Sequence, residues 1–165
     1  MRALVEESIA ETRSLTFEIS PPILHLVGLE ATLLALCEKY EEENSFVVEF
    51  EYEKEKSLQI DNFLRGMLYR IVRELLHNVT KYANANHVLV SFKQIANILE
   101  LYVEDDSNSF DPKTLWAQRE KRACLGLHSI KQRIEYFGGT MQIAAEVGFG
   151  TKVVLRVPIQ SESHL

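Results

Sequence analysis

The sequence has little of what several protein classes require. It contains two cysteines, Cys37 and Cys124, which lie far apart without a C-x-x-C partner, so no disulfide framework is expected. Its 18 Lys and Arg against 24 Asp and Glu give a net charge of −6, which argues against the clustered basic surface that nucleic acids require. No apolar run approaches the ~20 residues that span a bilayer, and no signal-peptide core follows Met1. These absences predict a cytoplasmic domain with reduced thiols and no direct nucleic-acid or membrane contact.

The composition that remains is that of one ordinary globular domain. Hydrophobic residues make up 46% of the 165 positions and charged residues 25%. A chain of this size can bury a real core, so disorder is not expected. We expect Cys37 to lie in that core, on a helix.

Hydrophobic periodicity predicts a definite order of elements. Helices are expected over residues 2–19, 29–40 and 61–83, and a half-buried strand over 46–52. Strands over 87–94 and 98–104 follow, joined by a turn at Ala96-Asn97. The polar stretch 105–122 has the length of a lid. A helix opening at Gly126 and closing at Gly138-Gly139 precedes a hairpin of strands 141–145 and 151–157.

This order predicts the fold class. Helices that fall on one face of a mixed, mostly antiparallel sheet make an α/β two-layer sandwich.

The clearest candidate site lies on the third predicted helix. Polar side chains recur there every three or four residues and therefore project from one face, while the leucines point to the core. These residues are Arg70, Glu74, His77, Asn78 and Lys81. A plain solvated face is the alternative for such a stripe, and it is preferred for an arbitrary helix.

Two further features weigh against that alternative. Asp105 and Asp106 end a predicted strand, where α/β sheets tend to place ligands. On its own such a pair could cap a turn, which is the preferred interpretation of Asp106. Gly126 opens a predicted helix, whose unpaired backbone N–H groups would suit an anion.

Taken in order, these segments resemble the nucleotide-binding domain shared by histidine kinases, gyrase B and MutL, the GHKL superfamily. Residues 73–83, RELLHNVTKYA, look like its N box. Asp105 falls on the G1 box aspartate, residues 125–127 on the G2 box, and residues 148–151, GFGT, on the closing glycine motif. Residues 134–140, IEYFGGT, are typical of the segment between the last two. The resemblance covers nearly the whole chain and implies the Bergerat-type ATP-binding fold.

Within that superfamily, the chain most resembles sensor histidine kinases paired with helix-turn-helix response regulators of the LuxR/NarL type. Residues 11–15, ETRSL, and 19–24, ISPPIL, look like the end of that subfamily's dimerisation and phosphoacceptor hairpin. We therefore expect residues 1–22 to be the end of the hairpin and 23–165 the ATP-binding catalytic domain. None of the five histidines is followed by the acidic residue of an acceptor motif. The expected partners are the phosphoacceptor helix of the full-length kinase, which would be a homodimer, and a response regulator.

The resemblance implies ATP and Mg²⁺ as ligands and assigns roles on the N box. Asn78 would be the Mg²⁺ ligand, which suits an ion that prefers hard oxygens. Glu74 would be the catalytic residue that orients a metal-bound water or the incoming histidine. Lys81 and Tyr82 would contact phosphates, whereas His77 is expected to have a packing role.

The remaining ATP contacts are implied by the later motifs. Asp105 would accept a hydrogen bond from the adenine amino group. Gly126, Leu127 and His128 would meet the outer phosphates, and Thr151 follows the closing glycines as a further ATP-binding residue. Phosphoryl transfer requires mainly positioning and charge neutralisation from such residues.

The sequence departs from the family pattern at three glycine positions. Ser107 and Ser109 replace the G1 glycines, and Cys124 replaces the first G2 glycine. An active kinase domain is the leading hypothesis. The alternative is a degenerate pseudokinase module, a signalling scaffold that binds ATP weakly. A GHKL ATPase or anti-sigma kinase is a third interpretation, disfavoured by the helical pattern before Pro21-Pro22.

Overall fold

A computed structural model of the protein describes residues 23–52, 60–107, 122–146 and 149–159. The described residues form three α-helices and five strands. In chain order these are α1 (Ile23–Glu43), β1 (Val47–Tyr52), α2 (Asn62–Asn78), a π-helical turn (Val79–Ala83), β2 (His87–Ile95), β3 (Ile98–Asp105), α3 (Arg122–Tyr136), β4 (Thr140–Glu146) and β5 (Gly150–Pro158). The predicted helix 2–19 and most of the predicted lid lie outside the described residues.

The strands form one sheet in the order β1-β2-β3-β5-β4. β1 runs parallel to β2, and the other three pairings are antiparallel. In the β3–β5 register Asp105 lies opposite Thr151. The prediction of a mixed, mostly antiparallel sheet is confirmed, and this register brings two predicted site residues together.

Alternation along the strands creates the two layers. On β3, Leu99, Leu101 and Val103 are buried in a single core cluster that also includes side chains of all three helices. The residues between them face the other way, where Glu100 binds Arg156 Nε at 2.6 Å. The α/β two-layer sandwich is confirmed.

Helix α1 begins earlier than predicted and is broken at Gly28. Gly28 has φ 89°, a conformation that glycine adopts readily, so two helical pieces meet there. Cys37 is buried in the core as predicted. Burial, reinforced by Glu38, raises the pKa of its thiol to about 12, which leaves it protonated and unreactive.

Helix α2 begins where the Asp61 carboxylate accepts the Leu64 N–H at 2.8 Å, an N-cap that satisfies an otherwise unpaired donor. The predicted helix 61–83 is not α-helical throughout. It becomes π-helical at Val79, and Asn84 then ends it in the left-handed conformation. π-Helical turns are frequent at functional sites, and residues of this one line the pocket described below.

The predicted start of helix α3 is wrong, whereas its predicted end is confirmed. It begins at Arg122, so Gly126 lies one turn inside it rather than at its start. Arg and Ala favour helix, which accounts for the earlier beginning. The predicted end is right: the N–H of Gly139 donates to Ile134 O and that of Gly138 to Glu135 O, both at 2.9 Å, as in a Schellman motif. In the described part of the chain, no helix is long and apolar enough to cross a membrane.

Candidate functional site

A pocket lies between the end of α2, its π-helical turn, the ends of β3 and β5, and α3. The space between its lining residues amounts to about 490 Å³ when the open mouth is counted. Its lining is largely apolar with a few polar groups. The lining residues are Leu75, Asn78, Val79, Tyr82, Ala83, Val103, Asp105, Leu127, Ile143, Thr151 and Val153.

Asp105 is the one carboxylate among the lining residues, and it is 7% exposed. Its Oδ1 accepts the backbone N–H of Ser107 at 3.0 Å. Burial raises the pKa of the Asp105 carboxyl, and hydrogen bonds from Ser107 and from the backbone of Thr151 partly offset that effect. A buried carboxylate is unfavourable without donors, so a ligand that donates a hydrogen bond here would stabilise it.

Two other polar atoms at the pocket lack partners. Asn78 Nδ2 and Thr151 Oγ1 are buried, and neither has a hydrogen-bond partner among the described residues. Leaving a buried polar group unpaired costs about 1–3 kcal/mol. Both residues line the same pocket as Asp105, which is the pattern expected of a polar ligand's binding site.

Glu74 meets Gly126 across the interface between α2 and α3. A Cβ placed on Gly126 would lie 2.5 Å from Glu74 Oε1, so the absence of a side chain at position 126 makes room for the carboxylate. This contact brings the predicted catalytic residue beside a residue of the predicted G2 box.

The predicted site residues therefore fall into three groups. Five of them line the pocket: Asn78, Tyr82, Asp105, Leu127 and Thr151. Glu74 and Gly126 contact one another. Lys81 and His128 are exposed and do not line the pocket.

Three expectations about neighbouring groups have clear outcomes. His77 is exposed, so the packing role expected for it is wrong. The capping role expected for Asp106 is confirmed, because its Oδ1 accepts the N–H groups of Asn86 at 2.7 Å and His87 at 3.0 Å. The idea that Gly126 offers unpaired helix-start N–H groups is also wrong, since only the first four N–H groups of a helix lack partners.

The apolar walls of the pocket are what sequence reasoning missed. They are formed by Leu75, Val79, Ala83, Val103, Ile143 and Val153. Leu75 and Val79 belong to the apolar stripe of α2, which predicts only core packing. The alternation of β5 gives one usable signal, because Val153 lies two residues from Thr151 and so shares its face.

A divalent metal would have few protein ligands here. In the described ranges, no group of three or more His, Cys, Asp or Glu side chains is suited to hold a metal ion. Mg²⁺ commonly takes one or two protein oxygens and completes its shell with substrate phosphates and water. The donor set, with the Asn78 carboxamide at the pocket, fits that mode and not a protein-only cage.

Comparison with known proteins supports a nucleotide site. Residues 64–161 match the family described as histidine kinase-, DNA gyrase B-, and HSP90-like ATPase. Over 164 residues the chain is 27% identical to an uncharacterized sensor-like histidine kinase of Chloroflexus aurantiacus, covering 98% of this chain and 27% of that protein. It is 26% identical over 162 residues to the signal transduction histidine-protein kinase/phosphatase DegS of Brevibacillus brevis, covering 98% of this chain and 40% of the relative. The chain thus spans less than half of either relative.

Solved structures show the same fold. The blue-light activated histidine kinase of Erythrobacter litoralis EL346 superposes with a TM-score of 0.63 at 19% identity, covering 83% of this chain and 43% of that one. The histidine kinase AdeS of Acinetobacter baumannii superposes with a TM-score of 0.62 at 17% identity, covering 81% of this chain and 64% of the other.

Proposed function

Because the chain belongs to the family of histidine kinase-, DNA gyrase B- and HSP90-like ATPases, we propose that it is the ATP-binding catalytic domain of a two-component sensor histidine kinase. It would transfer the γ-phosphoryl group of ATP to a histidine on another segment of the full-length protein, for relay to a response regulator. Both curated relatives described above bear histidine kinase names, which supports this choice within the family.

The observation that carries the proposal is the polar set of the pocket. Asp105 is a buried acceptor, and Asn78 Nδ2 and Thr151 Oγ1 are unpartnered within the described residues, all against apolar walls. A flat heteroaromatic base with an amino group matches such a pocket, because its faces pack on the apolar walls and its edge donates to the carboxylate. Guanine places a carbonyl oxygen where adenine has its amino group, so an ionised Asp105 would repel it.

The other predicted residues would act where the phosphates leave the pocket. Tyr82 and Leu127 lie at the pocket, and the exposed Lys81 and His128 would reach phosphates beyond it. Glu74 would orient the attacking histidine or a water from its position beside Gly126. In such a reaction these residues contribute position and charge, and the covalent change belongs to ATP and the acceptor.

Mg²⁺ would supply charge neutralisation on the phosphates, with the Asn78 side-chain oxygen as its protein ligand. No hydrogen bond from the described residues holds the Nδ2 end of the Asn78 carboxamide. The group is free to present its oxygen to a metal without breaking an existing contact of Nδ2.

A degenerate module is the second interpretation, and Ser107 bears on it. A glycine position that needs positive φ would penalise serine by roughly 1–2 kcal/mol. In the described part of the chain the only non-glycine residues with positive φ are Asn84 and Ala96, so Ser107 has an ordinary conformation. Serine therefore causes no such strain at position 107 in this conformation, whereas Ser109 lies outside the described residues. The active domain remains the proposal.

The whole protein's organisation is proposed from the sequence. Residues 1–22 would end the dimerisation and phosphoacceptor hairpin, and 23–165 would be the catalytic domain, with LuxR/NarL-type response regulators as partners of the homodimer. The domain would lie in the cytoplasm.

The test uses the full-length protein that contains this chain. Incubation with labelled ATP and Mg²⁺ should give an acid-labile, base-stable phosphohistidine, and Glu74→Ala should reduce its rate of formation by at least about 100-fold while leaving ATP binding largely intact. The chain of 165 residues alone should remain unlabelled. Failure of the full-length protein to label, or equal labelling by the Glu74→Ala variant, contradicts the proposal.

A further inference from the structure

Ser107, two residues after the carboxylate of the proposed adenine site, carries an unusual hydroxyl. The residue is 1% exposed, and its Oγ has no hydrogen-bond partner among the described residues. Leaving a buried hydroxyl unpaired is unfavourable, so such a group calls for an explanation. The family pattern that this sequence resembles has a glycine at this position, which means that the hydroxyl is a feature of this chain and not of the shared fold.

The hydroxyl lies beside Asp105. The backbone N–H of Ser107 donates to Asp105 Oδ1 at 3.0 Å, which fixes Ser107 next to that side chain. Burial raises the pKa of the Asp105 carboxyl, and the Ser107 side chain is the largest of the influences that lower it, ahead of the backbone N–H groups of Ser107 and Thr151. In this structure the hydroxyl is near the carboxyl but is not aligned with it as a donor. Ser107 therefore places two donors, one of them unused, next to a single carboxylate.

The other groups that face Asp105 give it little help in staying ionised. Asp106, at the same strand end, raises the pKa of Asp105 by charge repulsion, and β5 contributes the backbone N–H of Thr151. Across the pocket, α2 and its π-helical turn present Asn78 and Tyr82, and the remaining lining residues are apolar. Among the described residues that line the pocket there is no Lys, Arg or His. Asp105 therefore relies on neutral hydrogen-bond donors to remain a carboxylate.

We propose that Ser107 is a positioning residue for Asp105, whose hydroxyl donates to the carboxylate when adenine binds and so holds it ionised and directed at the amino group of the base. A hydroxyl hydrogen rotates about the Cβ–Oγ bond, so it can follow the orientation that a bound base gives to the carboxylate. The inference rests on the adenine site proposed above, and it adds to that site a residue that the glycine of the family pattern does not supply.

A comparison of two ligands tests whether Ser107 acts through Asp105. The chain is titrated with Mg-ATP and with the Mg-triphosphate of purine riboside, which lacks the amino group of adenine. Ser107→Ala should weaken ATP binding by at least about fivefold. It should weaken binding of the analogue by less than about twofold, because Asp105 then has no amino group to accept from. Equal losses for the two ligands would overturn the inference.

Ser107→Gly separates the hydroxyl from the rest of the side chain. This variant restores the residue of the family pattern, and it should lose ATP affinity to about the same extent as Ser107→Ala, since both lack the donor. Tighter ATP binding by Ser107→Gly than by the parent would contradict the proposed role. Ser91→Ala is the matched control: Ser91 is 5% exposed on β2 and does not line the pocket, so its removal should leave ATP affinity unchanged.

The pH dependence of binding gives a readout that a purely structural role would not change. Without the hydroxyl, Asp105 should take up a proton at a higher pH than in the parent, and a protonated carboxyl accepts the amino group poorly. The difference in ATP affinity between the parent and Ser107→Ala should therefore widen as the pH falls from about 8 to about 5, a range in which most proteins stay folded. A difference that is constant over this range would overturn the inference.

Failure of this inference can be distinguished from failure of the proposed function. If the parent does not bind ATP, the adenine site and the role of Ser107 are both wrong. If the parent binds ATP and Asp105→Ala weakens that binding, but Ser107→Ala binds ATP as tightly as the parent does, only the role of Ser107 is wrong.

Discussion

Gly150 packs directly against the backbone carbonyl of Asp105. Gly150 has φ +93°, and a Cβ at this position would overlap the Asp105 carbonyl oxygen. The first residue of β5 thus holds the backbone of Asp105, the residue that ends β3, because no other residue type allows the two backbones to approach so closely.

Gly150→Ala should therefore cost more than its unfavourable φ alone. Gly138→Ala is the matched control, since Gly138 has φ +70° but an added Cβ would meet only Pro158 Cγ at 3.7 Å. We expect about 1–2 kcal/mol of lost stability at Gly138 and at least about 3 kcal/mol at Gly150, where the backbone must also move. Urea denaturation measures both, and equal losses would show that Gly150 does not hold Asp105 in place.

A double-mutant cycle tests the contact between Gly126 and Glu74. Replacing an interior helical glycine by alanine stabilises a helix by up to about 1 kcal/mol, but in the parent the new Cβ must displace the Glu74 carboxylate. Gly126→Ala should therefore stabilise the Glu74→Ala variant by more than it stabilises the parent. If Gly126→Ala changes the free energy of unfolding equally in the parent and in the Glu74→Ala variant, the two residues do not interact, and Glu74 lies away from α3 in solution.

Asn78→Ala should weaken binding of Mg-ATP more than binding of metal-free ATP. The reason is that a metal ligand contributes only when the metal is present. Calorimetric titration with and without Mg²⁺ measures the difference, which we expect to be on the order of tenfold. An equal loss under both conditions would remove Asn78 from the metal site.

Asp106→Ala should lower stability at neutral pH by about 1–2 kcal/mol, because two backbone N–H groups lose their acceptor. The hydrogen bond from the His87 backbone is the main factor that lowers the pKa of this carboxyl from 3.8. Because the pKa of Asp106 is lower in the folded state than in the unfolded state, the ionised carboxyl stabilises the fold above pH 3.8. This contribution is lost as the pH falls through the lowered folded-state pKa. The stability difference between parent and Asp106→Ala should therefore shrink below about pH 4.

A Glu42→Gln variant on α1 is the control for Asp106→Ala, because it changes charge alone. A stability difference between parent and Asp106→Ala that does not depend on pH would contradict the capping role.

Local pattern was sufficient to predict the strands and the end of α3. The alternation of Leu99, Leu101 and Val103 predicts which face of β3 is buried, and Gly138-Gly139 predicts the end of α3. These features depend on neighbouring residues in the chain, which is why the sequence reveals them.

The features that sequence reasoning missed depend on contacts between distant segments. Ile143 and Val153 form a pocket wall only because β4 and β5 pair beside β3. The π-helical turn after Asn78 and the beginning of α3 at Arg122 also escaped prediction. A motif centred on Gly126 indicates a functional glycine, but it does not distinguish a helix start from a close approach to Glu74.

Base selectivity tests the central claim most directly. Calorimetric titration of the chain with Mg-ATP and Mg-GTP should show saturable binding of ATP and at least about tenfold weaker binding of GTP, a difference of about 1.4 kcal/mol. Asp105→Ala should weaken ATP binding and abolish the preference, whereas Asp106→Ala, which removes the neighbouring carboxylate outside the pocket, should retain it. Absence of ATP binding by the parent, or an undiminished preference for ATP in the Asp105→Ala variant, would contradict the assignment of this pocket as an adenine site.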